Sequence, residues 1–138
     1  IKQALELCEG REVFVLNGDS IFEISLKKLR LKGAKICLAL KKMVDFQRYG
    51  AVKVDESGEI VEFKEKSFCK EGLINGGIYL LSKDIFEGFS FLGHFSFEEF
   101  LSTNFKALKA RAELFEDYFI DIGIPQDYEK FSRLKDER

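Results

Sequence analysis

Apolar positions along the chain fall into short runs separated by turn residues, and the runs change period. Ile1, Ala4, Leu5 and Cys8 recur at helical spacing, with Gly10 as a C-cap and no N-cap residue before them. This predicts the tail of a helix that starts upstream, so the chain is expected to be part of a longer domain. Val13 to Leu16 is a continuous apolar run bounded by turn residues, the pattern of a strand buried on both faces of a parallel sheet. Ser25 is placed to cap a short helix through Leu26 and Leu29 to Gly33, and Ile36 to Leu40 is a second continuous run. Strand, helix and strand within about thirty residues predict a βαβ unit.

Further along, Ala51 to Val54, Asp55-Glu-Ser-Gly58 and Glu59 to Lys64 predict a hairpin whose polar turn closes on glycine. Asn75-Gly76-Gly77 opens a strand that runs Ile78 to Leu81, and Ser82 starts a short helix toward Phe86. Ser96-Phe-Glu-Glu99 has the spacing of a capping box, with Glu99 reaching back, ahead of a helix to about Lys109. Ala112 to Phe115 and Tyr118 to Asp121 predict a last pair of strands around Glu116-Asp117. Pro125 suits the first turn of a closing helix, where its missing N–H is no loss. The alternation predicts an α/β fold, a Rossmann-like α/β/α sandwich on a mixed, mainly parallel sheet, incomplete at its N-terminus.

Composition narrows the partners. The 138 residues are 46% hydrophobic and 33% charged, with one proline and no tryptophan, which suits a single globular domain. Interspersed charges, 22 basic against 24 acidic for a net charge of −2, leave no footprint for nucleic acid or an anionic membrane. No apolar run has the length of a membrane span, and the expected location is cytoplasmic. Cys8, Cys37 and Cys69 are far apart, without a C-x-x-C pair and with only His94 as a histidine, so they read as reduced packing thiols. The phenylalanines from Phe86 to Phe105 read as core. Phe91 and Phe95 around His94 are left as a surface loop or a subunit contact, which keeps a homo-oligomer among the expectations.

The chemistry starts at the end of the first strand. "VFVLNGDSIF" finishes an apolar run in Asn17-Gly18-Asp19, and a carboxylate there needs a cation, a donor or water. Over a hundred positions later "FIDIGIP" repeats the arrangement with Asp121. Ligands of open α/β sheets bind beyond strand ends. If the two ends converge, the paired charges require a cation, and magnesium suits hard oxygen donors completed by substrate phosphates. Tyr49 and Gly50 before the hairpin, Glu65 and Lys66 after it, and Asn75-Gly76-Gly77 could hold a phosphorylated polar ligand. Singly, each has a plainer reading: Asp19 as a turn residue, Lys66 as a solvated charge, the glycines as turns.

In order and spacing, "LNGDSIF", "QRYGAVKVDESGEIVEFKEK", "INGGIYLLS" and "YFIDIGIPQDY" resemble the sugar-phosphate nucleotidyltransferases, from Ile1 to Tyr128. The resemblance implies that residues 1–138 are the C-terminal portion of one nucleotidyltransferase domain. It implies a magnesium-assisted attack by a sugar 1-phosphate on the α-phosphorus of a nucleoside triphosphate, releasing pyrophosphate. On matching positions Asp19 and Asp121 would hold the metal, and Lys66 would neutralise the sugar phosphate. Glu65 and Asn75 would bind sugar hydroxyls, and Gly50 would line the sugar pocket. Asn17 would approach the nucleoside, with Gly18 and Gly76 completing the substrate-binding set. The family's glycine-rich loop, G-G-x-G-T-R-L, does not occur here, so this portion alone is expected to be inactive. Within the family, "NGDSIF" and "FIDIGIPQDY" most resemble bacterial heptose 1-phosphate guanylyltransferases, which serve polysaccharide synthesis.

Two other classes compete. A nucleotide-sugar glycosyltransferase normally has a D-x-D-like pair, and here Ser20 and Ile21 follow Asp19; an aspartyl-phosphate phosphatase fails for the same reason. A truncated, non-catalytic binding or assembly module is the third reading. Whether Asp19 and Asp121 lie close enough to share one ion separates the first reading from the rival enzymes, and an upstream segment with the glycine-rich loop would separate it from the third.

Overall fold

The computed structural model describes residues 1–136. In chain order the elements are α1 (Lys2–Leu7), β1 (Glu12–Leu16), β2 (Ser20–Phe22), a 3-10 turn (Leu26–Lys28), β3 (Ile36–Phe46), β4 (Ala51–Val54) and β5 (Ile60–Phe63). They continue with β6 (Cys69–Ser82), α2 (Phe97–Asn104), β7 (Arg111–Phe115), β8 (Phe119–Asp121) and α3 (Pro125–Asp136). The main sheet runs β5-β4-β6-β3-β7, with β1 also on β6, and β2 and β8 form a separate ribbon.

β6 organises the sheet. β3 pairs along one edge of it from Phe46 against Cys69 to Ile36 against Leu81. Its other edge is divided: β1 takes Ile78 to Ser82, and β4 takes Leu73 and Ile74. Between them the register slips, because Leu38 faces Tyr79 while Leu40 already faces Asn75. Asn75-Gly76-Gly77 is therefore a bulge inside a 14-residue strand rather than the strand's opening. Gly77, at φ +75°, supplies the left-handed residue that the bulge requires. The bulge parts β1 from β4, and a cavity opens in the gap.

The sheet is mixed, as the alternation of elements predicts, but its balance is antiparallel: among the described strands only β3 and β7 run parallel side by side. β1 and β3 do share a direction, yet β6 lies between them. Nor is β1 buried on both faces, since Val13 and Val15 meet the core while Phe14 and Leu16 are exposed. The helix expected over Ser25 to Gly33 shrinks to the 3-10 turn. Nine residues are marginal for a helix, and Leu29, 2% exposed, instead turns extended into the core.

Other boundaries also shift. α1 ends at Leu7, with Cys8 rather than Gly10 as its cap. Lys83 to Gly88 form turns in place of a helix. Ser96 caps α2 by accepting from the Glu99 N–H at 3.3 Å, but its hydroxyl donates to Glu98, and α2 stops at Asn104. β7 and β8 do not pair with each other: β7 joins β3 and β8 joins β2. The hairpin of β4 and β5 and the start of α3 at Pro125 match the sequence pattern.

Two cores flank the sheet. Ile36, Leu38, Tyr79 and Leu81 pack under α2 with Ile85, Phe86, Phe97 and Phe100. On the other face Cys37, Ala39, Ile78 and Leu80 meet Phe22, Leu29 and Phe115. Each large side chain removed from water contributes about 1.5–3 kcal/mol before entropy is subtracted. All three cysteines are free, and burial pushes the Cys37 thiol up. Among the described residues no helix is long and apolar enough to cross a membrane.

Candidate active site

The β2–β8 ribbon brings the two acidic strand ends together. Ser20 pairs with Asp121, and the Ile122 N–H donates to the Asp19 carbonyl at 2.8 Å. Asp121 turns back on its own loop, its Oδ1 accepting from the Gly123 N–H at 2.8 Å. A Cβ at Gly123 would fall 2.9 Å from Asp121 Oδ1 and 3.5 Å from Asp19 Oδ2. Both carboxylates thus border a cradle that any other side chain would begin to fill.

The two acids differ in their surroundings. Asp19 is exposed, and its side chain has no hydrogen bond or ion pair among the described residues. Asp121 Oδ2 accepts from the Tyr49 hydroxyl at 2.9 Å, with the Arg48 guanidinium 3.8 Å away. Arg48 in turn donates to the Tyr49 oxygen and to Asp127, each at 2.9 Å. Burial, and then the Asp121 carboxylate, push the Tyr49 phenol up, so it stays protonated and able to donate. Burial pushes Asp127 upward too, but Lys130 and Arg48 outweigh it and hold the carboxyl below its usual range.

Asn17, Asp19, Gly50, Lys66, Asn75 and Asp121 all line one cavity of about 270 Å³ at the gap between β1 and β4. Glu65 lines the adjoining cavity of about 450 Å³, whose wall shares Gly50, Lys66 and Asn75 with the first. Lys66 is exposed on the β5–β6 connection, without an ion pair among the described residues, so its ammonium is available to an anion. Gly18 and Gly76 line neither cavity. At Gly76 a Cβ would fall 2.4 Å from the Phe22 ring, so glycine lets the ribbon lie against β6. Gly50 has a similar reason, a Cβ there falling 2.5 Å from the Lys64 carbonyl oxygen.

Sequence reasoning missed four cavity or network residues. Tyr79, on β6, accepts from the Asn75 amide at 2.8 Å, which leaves the phenolic proton free for the cavity. Its phenol is pushed up to about 12 by burial. Glu98, from the first turn of α2, walls both cavities, although its local pattern signals only a helix cap. Arg48 and Asp127 sit inside the quoted motifs "QRYG" and "PQDY", but their pairing spans 79 positions and leaves no local trace.

Among the described residues no group of three or more His, Cys, Asp or Glu is arranged around a metal. Two hard carboxylates at one cradle still fit magnesium, which takes one or two protein carboxylates and fills its remaining positions with water and phosphate oxygens. The same donors suit a soft metal poorly.

The model of the Nucleotidyl transferase family matches residues 1–137, and the chain belongs to that family. It is 60% identical to a D-glycero-alpha-D-manno-heptose 1-phosphate guanylyltransferase of Campylobacter jejuni, over 95% of this chain and 59% of that protein. It is 42% identical to the enzyme of that name from Aneurinibacillus thermoaerophilus, over 94% of this chain and 58% of that protein. A solved structure of HddC from Yersinia pseudotuberculosis, complexed with GMP-PN, superposes with a TM-score of 0.77 at 30% identity, covering 97% of this chain and 60% of that one. The chain therefore spans about three fifths of the length of these relatives.

Proposed function

We propose that this chain supplies the sugar-phosphate and metal side of a sugar 1-phosphate nucleotidyltransferase. A phosphate oxygen of the sugar 1-phosphate attacks the α-phosphorus of a nucleoside triphosphate, the bond to the β-phosphate breaks, and pyrophosphate leaves. The observation that carries this reading is the convergence of Asp19 and Asp121 on one cradle, beside Lys66, Gly50 and Asn75 in a single cavity. The convergence also favours a nucleotidyltransferase over the glycosyltransferase alternative.

Asp19 and Asp121 would hold magnesium, which when bound offsets charge on the phosphates. The chain's own residues position the reactants. Lys66 meets the sugar phosphate as a point charge, while Glu65 and Asn75 hydrogen-bond sugar hydroxyls and Gly50 lines the pocket through its backbone. Asn17, packed over Gly77, would approach the nucleoside. Such catalysis rests on orientation and charge stabilisation rather than covalent chemistry with the protein. The names of the two curated relatives support a heptose 1-phosphate as the sugar and guanosine triphosphate as the nucleotide.

The test is pyrophosphate release by the chain joined to a glycine-rich triphosphate-binding segment of the family, across several nucleotide and sugar-phosphate pairs. Magnesium-dependent turnover is expected, highest with guanosine triphosphate and a heptose 1-phosphate. Asp19→Ala and Asp121→Ala should each lower kcat by about a hundredfold or more, the scale of losing a principal charge-stabilising group. Wild-type rates in both variants would remove the metal pair from the account.

A further inference from the structure

Arg48 lines the same cavity as Asp19 and Asp121 and forms a long ion pair with Asp121, and its geometry determines how Asp121 faces the cradle. The Tyr49 hydroxyl has one proton and can also accept. Arg48 can only donate, and its Nη2 reaches the Tyr49 oxygen at 2.9 Å, so the Tyr49 proton must point elsewhere. Asp121 Oδ2, 2.9 Å from that oxygen, receives it. The guanidinium itself stands 3.8 Å from Asp121, too far for a hydrogen bond, so it does not occupy the carboxylate oxygens. With Gly123 donating to Oδ1, each oxygen of Asp121 keeps acceptor capacity for an ion.

Asp127 holds Arg48 in place. It sits in the first turn of α3, where a carboxylate is favoured, and accepts from Arg48 at 2.9 Å. α3 has no fully buried residue, so this ion pair is a specific tie between the helix and the site. The same segment continues into Gly50 on the cavity wall.

Resting on the nucleotidyltransferase reading above, we propose that Arg48 is a positioning residue of the metal site, orienting Asp121 through Tyr49 and itself anchored by Asp127. The measurement is Mn²⁺ affinity of the chain by electron paramagnetic resonance, with thermal melting alongside. Arg48→Met and Tyr49→Phe should each weaken binding about tenfold, the low end for a lost partner of a ligand carboxylate. Arg48→Lys keeps a donor and the charge, and should stay within about threefold of wild type. Melting temperatures should remain near wild type, since Tyr49→Phe removes only a hydroxyl and the Arg48 side chain is itself exposed. Where Arg48→Met fails to fold, Tyr49→Phe, which loses only a hydroxyl, decides the matter. Asp19→Asn separates the two readings. If it abolishes Mn²⁺ binding while Arg48→Met and Tyr49→Phe bind like wild type, the positioning role is overturned and the metal pair stands. If wild type binds no better than Asp19→Asn, both are overturned.

Discussion

On one face of the sheet Leu38 and Leu81 lie under α2, Ile85 and Phe86; on the other, Leu80 and Ile78 are covered by Phe22, Leu29 and Phe115, while their cross-strand neighbours Phe14 and Leu16 stay open. The first face is a core closed by helix and turn. The second is thinner, and the ribbon that carries Asp19 and Asp121 is laid on it, held through Phe22 edge-to-face with Phe115 of β7 at 5.9 Å. The acidic pair is thus set on the face opposite the helical core, while α2 and Tyr79 bring that core's side to the cavity wall. The two faces meet at the bulge in β6, where Gly76 admits Phe22 and Asn75 reaches Tyr79.

The comparison can be broken by a truncation series followed in urea. Leu38→Ala, fully buried on the closed face, should cost about 3–4 kcal/mol, because its cavity cannot collapse. Leu80→Ala, beside the open Phe14, should cost about 2–3 kcal/mol, since neighbours can relax into the space. Phe14→Ala should stay within about 0.5 kcal/mol. Equal costs for Leu38→Ala and Leu80→Ala would mean that the two faces are equally closed.

A smaller effect tests the meeting point. Gly76→Ala places a methyl 2.4 Å from the Phe22 ring and 3.1 Å from the Ala39 carbonyl oxygen. It should cost about 1–2 kcal/mol by overpacking and shift the ribbon. In the chain completed by the glycine-rich segment, turnover should fall by more than the stability loss explains. Wild-type turnover would show that the ribbon is not braced through Phe22.

Local chemistry was legible. Asp55 and Gly58 marked the hairpin turn, Ser96 marked the start of α2, and Pro125 began α3. The convergence of Asp19 and Asp121 was legible only as a condition, because both follow apolar runs, and it was the resemblance that set them on one ion. Pairing across distance was not readable. Asn75-Gly76-Gly77 looks like an opening turn because glycine signals turns whether it ends a strand or kinks one. The three-residue β2 and β8 are too short to show a period, and their strand character comes from facing each other. Arg48, Tyr79, Asp127 and Glu98 escaped for the same reason, being ordinary polar residues until the fold sets them beside Asp121 or the cavity.

The most direct measurement is an anomalous difference map from crystals grown with Mn²⁺, a sugar 1-phosphate and a non-hydrolysable nucleoside triphosphate. The account predicts one peak at the Gly123 cradle, within about 2.1 Å of a carboxylate oxygen from Asp19 and one from Asp121. A peak bound by only one of them, or lying elsewhere with the cradle empty, would contradict it.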